Sequence, residues 1–480
     1  MHWIDAGIFL VYMIALLGVG LWFMRKNTST DDYFVGGRGM SAGHIGLSVV
    51  ATDVGGGFSI GLGGLGFVMG LSGSWMLFTG LLGAWLAAVL LIPRVYTLGR
   101  DHSLLTFPQL LGRFFDQRVA FVAGVICVVG YLGFTSSQLL AGAKLASAAV
   151  EGLDLRTALI VMGTVTVLYT VLGGMKAVVY TDTIQWAVLI SGLALVGLPM
   201  AFLAVGGWDG IRSTVDPAML RLDNIGAVQL IDWAVTIVPI WFVGMTLYQR
   251  IYASRSERDA QKAWFIAGLF EWPVMAFLGV ALGMLAHVGA EQGLLDGLVG
   301  DAATIDPEMG LPLLLRAILP VGLLGLMLSV YFSAILSTAD SCLMAASGNL
   351  ITDIIERFRP ATDIARTLRL SQIVTLALGV VAIGIALTME NVLSLMLHSY
   401  AFMVSGLLVP LVGAVFFGFR DARAALAAMI VGGGTTVSLT LMEVALPAGL
   451  DANIFGISAA TLVAIVLARI FPQRTFQPLR

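Results

Sequence analysis

The chain has 480 residues, 58% of them hydrophobic and only 11% charged, with a net charge of −3 and a mean hydropathy of +0.94. Soluble globular domains carry about 25% charged residues, so this composition excludes one and points to an all-α polytopic membrane protein whose surroundings are the lipid bilayer. The weakly acidic balance offers no basic surface for nucleic acid. No stretch between the apolar runs is long enough for a soluble catalytic domain, so an enzyme is not expected.

Apolar runs predict thirteen spans, at about 5–24, 42–71, 73–98, 119–149, 155–175, 180–204, 229–249, 264–289, 313–355, 366–388, 391–418, 422–446 and 452–471. No small-residue cleavage site follows the first run, so it reads as a span and not as a removed signal. In the second, Gly55, Gly56 and Gly57 sit near the middle, beside Asp53. Each glycine weakens a helix interior by about 1 kcal/mol relative to alanine, and three together invite a break. The amphipathic stretch Thr106 to Arg118 is too short and charged to span and is expected along the inner surface. The seventh run carries Pro239 at its middle, which frees a backbone carbonyl; Gln249 and Arg250 read as its inner end. Interrupted helices five spans apart, at matching positions of two halves, point to a transporter binding site.

The ninth run contains SAILSTADSC. Ala334, Ser337, Thr338 and Ser341 fall at i, i+3, i+4 and i+7, one face of a helix, with Asp340 beside them. Hydroxyls and a carboxylate at mid-membrane depth are costly unless they line a cavity or hold an ion. Several oxygens pointing one way suit a hard cation such as Na+.

Lys and Arg gather on one side. With the N-terminus outside and the C-terminus cytoplasmic, all of the 26 except Lys144, Arg156, Arg212, Arg221 and Arg316 fall at inner ends and loops. Cys127 and Cys342 lie inside apolar runs and read as buried free thiols. The five histidines, His2, His44, His102, His287 and His398, are scattered and suggest no metal cluster. No phosphate loop is present, which argues against transport driven by ATP.

Three stretches carry a family resemblance: DDYFVGGRGMSAGHIGLSVVATDVGGG from Asp31 to Gly57, YTVLGGMKAVVYTDTIQ from Tyr169 to Gln185, and SAILSTADSCL from Ser333 to Leu343, followed by TDII. Together they resemble the sodium:solute symporter family, which contains bacterial proline, sugar and sialic acid symporters. Tyr180 stands where the family usually has Trp. The resemblance implies the five-plus-five inverted repeat of the leucine-transporter type. Its parts would be a first helix and inner loop (1–41), a first repeat (42–204), an outer loop (205–228), a second repeat (229–418) and two C-terminal helices with a short tail (419–480).

Carried over residue by residue, the resemblance implies a sodium site made of the Ala51, Val54 and Ala334 carbonyls and the Ser337 and Thr338 hydroxyls. It implies a possible second sodium site at Asp182, Asp340 and Ser341, with Asp340 replacing the usual serine. That extra carboxylate either strengthens cation binding or is held neutral by burial and carries a proton. Three roles stay open for Asp53: helping the sodium site, contacting solute, or capping the broken helix.

A central solute cavity is expected between the two breaks and the facing helices. It would be lined by Asp53, Gly56, Gly57, Phe58, Tyr131, Thr135, Gln138, Trp241, Phe242 and Met245. Lys144 is placed near an outer end, its stem snorkelling. Glu271 either faces the cavity or sits near the inner third of its span. The function expected is sodium-coupled import of a small organic solute (an amino acid, monocarboxylate, sugar or amine) by alternating access, in a bacterial inner membrane. Proton coupling on the same fold, and solute sensing, are the alternatives. The sequence assigns no oligomeric state.

Overall fold

The computed structural model describes residues 2–24, 38–53, 55–299, 305–358, 364–442 and 444–470, with backbone alone for 20, 23–24, 58–59, 172–181, 183–184 and 364–367. Val54 lies outside the described residues, as does the Phe58 side chain. Among those described, the fold is helical with no strands.

Helix α1 (Trp3–Met24) is followed by the pair α2 (Ala42–Asp53) and α3 (Gly56–Met69), separated at Gly55. Gly55 has φ −58° and ψ −159°, which stops the helix. A short 3-10 turn leads into α4 (Trp75–Leu86), which runs on through a π turn to α5 (Ile92–Asp101). The short α6 (Phe107–Phe114) starts at a capping box made by Thr106 and Gln109. It buries Phe107, Leu110, Leu111 and Phe114 against the protein.

Then come α7 (Gln117–Ala149) and α8 (Leu155–Gly192). The fifth and sixth expected spans are continuous here: α8 passes through the expected turn and leads by a π turn into α9 (Leu198–Ala204). Two apolar stretches, Leu155–Val171 and Gln185–Ala204, remain at those positions. The connection expected to be outer forms a small helix, α10 (Gly207–Thr214).

The second break is a bend of 42° between α11 (Ala227–Val243) and α12 (Met245–Ala253). Gly244, extended at φ −66° and ψ 118°, makes it; Pro239 lies inside α11. Helix α13 (Glu257–Phe270) joins α14 (Phe277–Glu291) through a π-helical segment, Glu271–Ala276. The ninth expected span is two helices, α15 (Pro307–Ile318) and α16 (Leu323–Asn349). Pro320 and Gly322, the latter at φ +90°, turn the chain between them. The remaining helices are α17 (Ile364–Ala386), α18 (Val392–Phe416), α19 (Ala422–Leu441) and α20 (Ala452–Ile470).

Nine helices among the described residues are long and apolar enough to cross a bilayer, or ten if the bent pair is one span. Two more apolar stretches are shorter, and the second and third expected spans share the run Ile60–Asp101, so the expected thirteen is not reproduced as a count. The least apolar span, Leu323–Phe358, is the most buried, and it holds Ser337, Thr338, Asp340 and Ser341. Leu195, Leu203, Ile430 and Leu441 face outward instead. Polar inside and apolar outside is the order a lipid solvent imposes. Helix α16 packs against α1, α2, α7 and α8, so its polar face meets the first break.

Candidate functional site

The first cluster forms where α2 ends. Thr338 Oγ1 donates to the Ala51 carbonyl at 3.0 Å, across 287 residues of sequence. Ser337 Oγ donates to the Ala334 carbonyl at 3.0 Å, and Thr338 Oγ1 lies 3.5 Å from the same oxygen. Four of the five expected sodium ligands therefore stand in one chain of hydrogen-bond contacts, from Ala51 through Thr338 and Ala334 to Ser337. Two are hydroxyls that can rotate their protons away, which would release the two carbonyl oxygens they now donate to. A Cβ on Gly55 would collide with the Thr338 side chain, so the break allows this close approach.

The second cluster lies beside it and holds a cation of the protein's own. Arg250 is fully buried, not at a helix end facing water. Its Nη2 donates to Ser341 Oγ at 2.9 Å, to Asp182 Oδ2 at 3.3 Å and to Thr52 Oγ1. Its Nε donates to Ser48 Oγ at 3.1 Å and its Nη1 to the Thr246 carbonyl at 3.2 Å. Ser48 Oγ also donates to Asp182 Oδ2 at 2.6 Å. The planar fork of Arg thus joins α12 to α2, α8 and α16. Asp182 and Ser341 are brought together; Asp340 turns instead to Thr170 on α8. Sequence reasoning missed Arg250, because a basic residue closing an apolar run reads as a surface group.

The expected solute-cavity residues divide. Gln138 reaches the first break, its Oε1 accepting from the Gly57 amide at 3.4 Å, and a Cβ on Gly56 would meet Ala141 and Gln138. The Tyr131 hydroxyl lies 3.2 Å from Thr246 Oγ1 and accepts from the Thr246 amide at 3.1 Å, so it caps the start of α12 at the second break. Thr135 bonds back to the Tyr131 carbonyl at 2.7 Å, within its own helix. Trp241 is buried edge-on against Trp264, and the Phe242 carbonyl accepts from the Tyr248 hydroxyl at 2.9 Å. Met245 turns away, its Sδ accepting from the Phe107 amide at 3.2 Å. Asp53 closes α2, its buried Oδ2 meeting no N–H or hydroxyl donor and its carboxyl group lying against that of Glu271.

Lys144 does not snorkel. It is 1% exposed and paired with Asp306 at 2.5 Å and Glu308 at 2.6 Å. Glu308 also accepts from the Val392 and Leu393 amides at 2.9 and 3.0 Å, the positive end of α18. This network ties α7, α15 and α18 together on the side expected to be outer.

Comparison with known proteins adds an independent finding. The sequence model of the sodium:solute symporter family matches residues 33–432. The high-affinity proline transporter PutP of Bacillus subtilis is 29% identical over 88% of this chain and 89% of its own. The sodium/proline symporter of Escherichia coli is 26% identical over 89% and 86%. Sodium/glucose cotransporter 1 of sheep (Ovis aries) is 25% identical over 86% and 67%. A solved structure of a Na+-coupled sialic acid symporter, substrate-bound and outward-open, superposes with a TM-score of 0.78 at 20% identity, covering 98% of both chains.

Proposed function

The chain belongs to the sodium:solute symporter family, and on that premise we propose where its ion and its solute sit. It is a membrane-spanning, sodium-coupled symporter of a small organic solute, not an enzyme. Sodium binds between the end of α2 and α16, on the carbonyls of Ala51, Val54 and Ala334 and the hydroxyls of Ser337 and Thr338. The observation that carries this reading is the 3.0 Å contact between Thr338 Oγ1 and the Ala51 carbonyl. It brings a hydroxyl of the polar helix to the end of the broken one, which supports a cation bridging the two.

The solute site lies between the two breaks, among Asp53, Gly56, Gly57, Phe58, Tyr131, Gln138 and Trp241. Sodium braces the broken helix and so shapes that site before solute arrives. Movement of one helix group against the other then exchanges outer for inner access. Residues 42–204 and 229–418 form the two repeats, with α1 and the two C-terminal helices outside them; the N-terminus faces outward and the C-terminus the cytoplasm of a bacterial cell. Asp182 and Ser341, the possible second cation place, are engaged by Arg250, which supports reading the Ala51–Thr338 place as that of the coupling ion.

One observation favours a second reading, proton coupling. Thr170 Oγ1 contacts both the Thr166 carbonyl and Asp340 Oδ1, yet has a single proton to donate. When it serves the carbonyl, Asp340 must bring the other proton. The melting temperature of the purified protein in sodium chloride, against potassium chloride at equal ionic strength, separates the two. Ligands stabilise the state that binds them, so sodium raises it on the first reading. Indifference to sodium with a dependence on pH would support the second.

A further inference from the structure

Glu271 opens the π-helical segment between α13 and α14 and is completely buried, with no N–H or hydroxyl donor of the protein on either carboxylate oxygen. π-Helical turns inside α-helices recur at functional sites. Its carboxyl group meets that of Asp53, at the end of α2, within hydrogen-bonding range, so the two acids form one buried pair. Asp53 Oδ2 likewise meets no N–H or hydroxyl donor of the protein. The indole N–H of Trp241, also buried without a hydrogen-bond partner, lies close to Glu271. A Cβ on Gly80 would collide with Glu271 Oε2 and lie 3.8 Å from Trp241 Nε1, so glycine on α4 leaves room for both.

The surroundings supply no countercharge to this pair. Among the described residues two cations are buried, Lys144 and Arg250. Lys144 is held by Asp306 and Glu308, and Arg250 by Asp182 and the hydroxyls of Ser48, Thr52 and Ser341. Aromatic side chains lie close by. Tyr400 on α18 is within range of both carboxyls, and it stacks edge-on against Phe134 at 4.9 Å, which in turn neighbours Tyr131. Buried carboxylates call for a positive partner, and aromatic faces favour an organic cation over a bare ion. A sodium ion would prefer the hydroxyl and carbonyl oxygens of Ala51, Ala334, Ser337 and Thr338. An indole N–H beside the carboxylates repels a metal ion but can serve an acceptor on a solute.

The geometry points to a solute that carries a positively charged amine, held between Asp53 and Glu271 with Trp241 Nε1 on a neighbouring acceptor. This inference rests on the symporter reading and names its substrate class. It makes Glu271 a specificity-determining residue.

The test is the melting temperature of the purified full chain in sodium chloride, with matched pairs of probes. L-Proline is set beside cyclopentanecarboxylate, putrescine beside butanediol, and ethanolamine beside ethylene glycol. The expected result is stabilisation by at least one amine and none by its amine-free counterpart. Glu271→Gln should raise that amine's half-saturating concentration at least about tenfold while the shift given by sodium alone persists. Glu271→Asp should restore part of the affinity. Equal stabilisation by an amine-free counterpart overturns the inference, and so does an unchanged amine affinity in Glu271→Gln. A panel in which sodium stabilises and no amine adds to it also overturns it, leaving the pair to a proton. A wild-type protein indifferent to sodium overturns the symporter reading as well.

Discussion

At the scale of single residues, the interior is organised by where each oxygen finds a proton or a cation. Ser337 and Thr338 were legible in the sequence, because hydroxyls at i and i+1 on a helical face of an apolar run have few reasons to be there. Their meeting with Ala51 needed only the family's pattern. Arg250 was not legible. Its partners Ser48, Thr52, Asp182 and Ser341 lie between 68 and 202 residues away in sequence, and only packing brings them together. Removing the guanidinium leaves Asp182 a buried, uncompensated charge, which costs about 3–5 kcal/mol. Arg250→Ala should therefore lower the melting temperature substantially, and adding Asp182→Ala should recover much of the loss. Full stability in Arg250→Ala would show that the guanidinium does not hold Asp182 in place.

At the scale of elements, the two breaks behave differently. Glycines in the second apolar run announced the first break, and the structure puts it at Gly55, where α16 comes closest to α2. The second break was read from Pro239, but the chain bends at Gly244, five residues later. Proline within a helix needs only one carbonyl to go unpaired, and the bend falls where the backbone becomes extended. The turn at Pro320 and Gly322 was missed because apolar residues on both sides hide it. Gly55→Ala tests the close approach. Overpacking of this kind costs about 1–3 kcal/mol, so the half-saturating sodium concentration for stabilisation should rise roughly tenfold. Unchanged sodium dependence would mean that the break is not part of the sodium site. On the other side of the molecule, Lys144, Asp306 and Glu308 bind α7, α15 and the start of α18 into one unit. Charges buried as a paired group are retained there, whereas a lone lysine would have reached for water.

At the scale of the whole molecule, polar side chains gather along α16 and apolar ones face outward, the all-α membrane class that composition announced; the repeat architecture was implied only by the family's motifs. The helix count was less so, because the chain runs through expected turns between 155 and 204 without leaving helical geometry. Coupling gives this architecture its use. The membrane potential contributes about 2.3 kcal/mol per charge per 100 mV, so one sodium carried with a neutral solute supports roughly fifty-fold accumulation at that potential. A solute carrying a net positive charge, as the acid pair of Asp53 and Glu271 would accept, adds its own charge to that driving force.

Equilibrium binding of radiolabelled sodium to the purified protein, beside the double variant Ser337→Ala with Thr338→Ala, tests the central claim most directly. The account predicts saturable sodium binding in the wild-type chain and its loss in a variant that stays folded. Undiminished binding in the variant, or no saturable binding in the wild type, would contradict it.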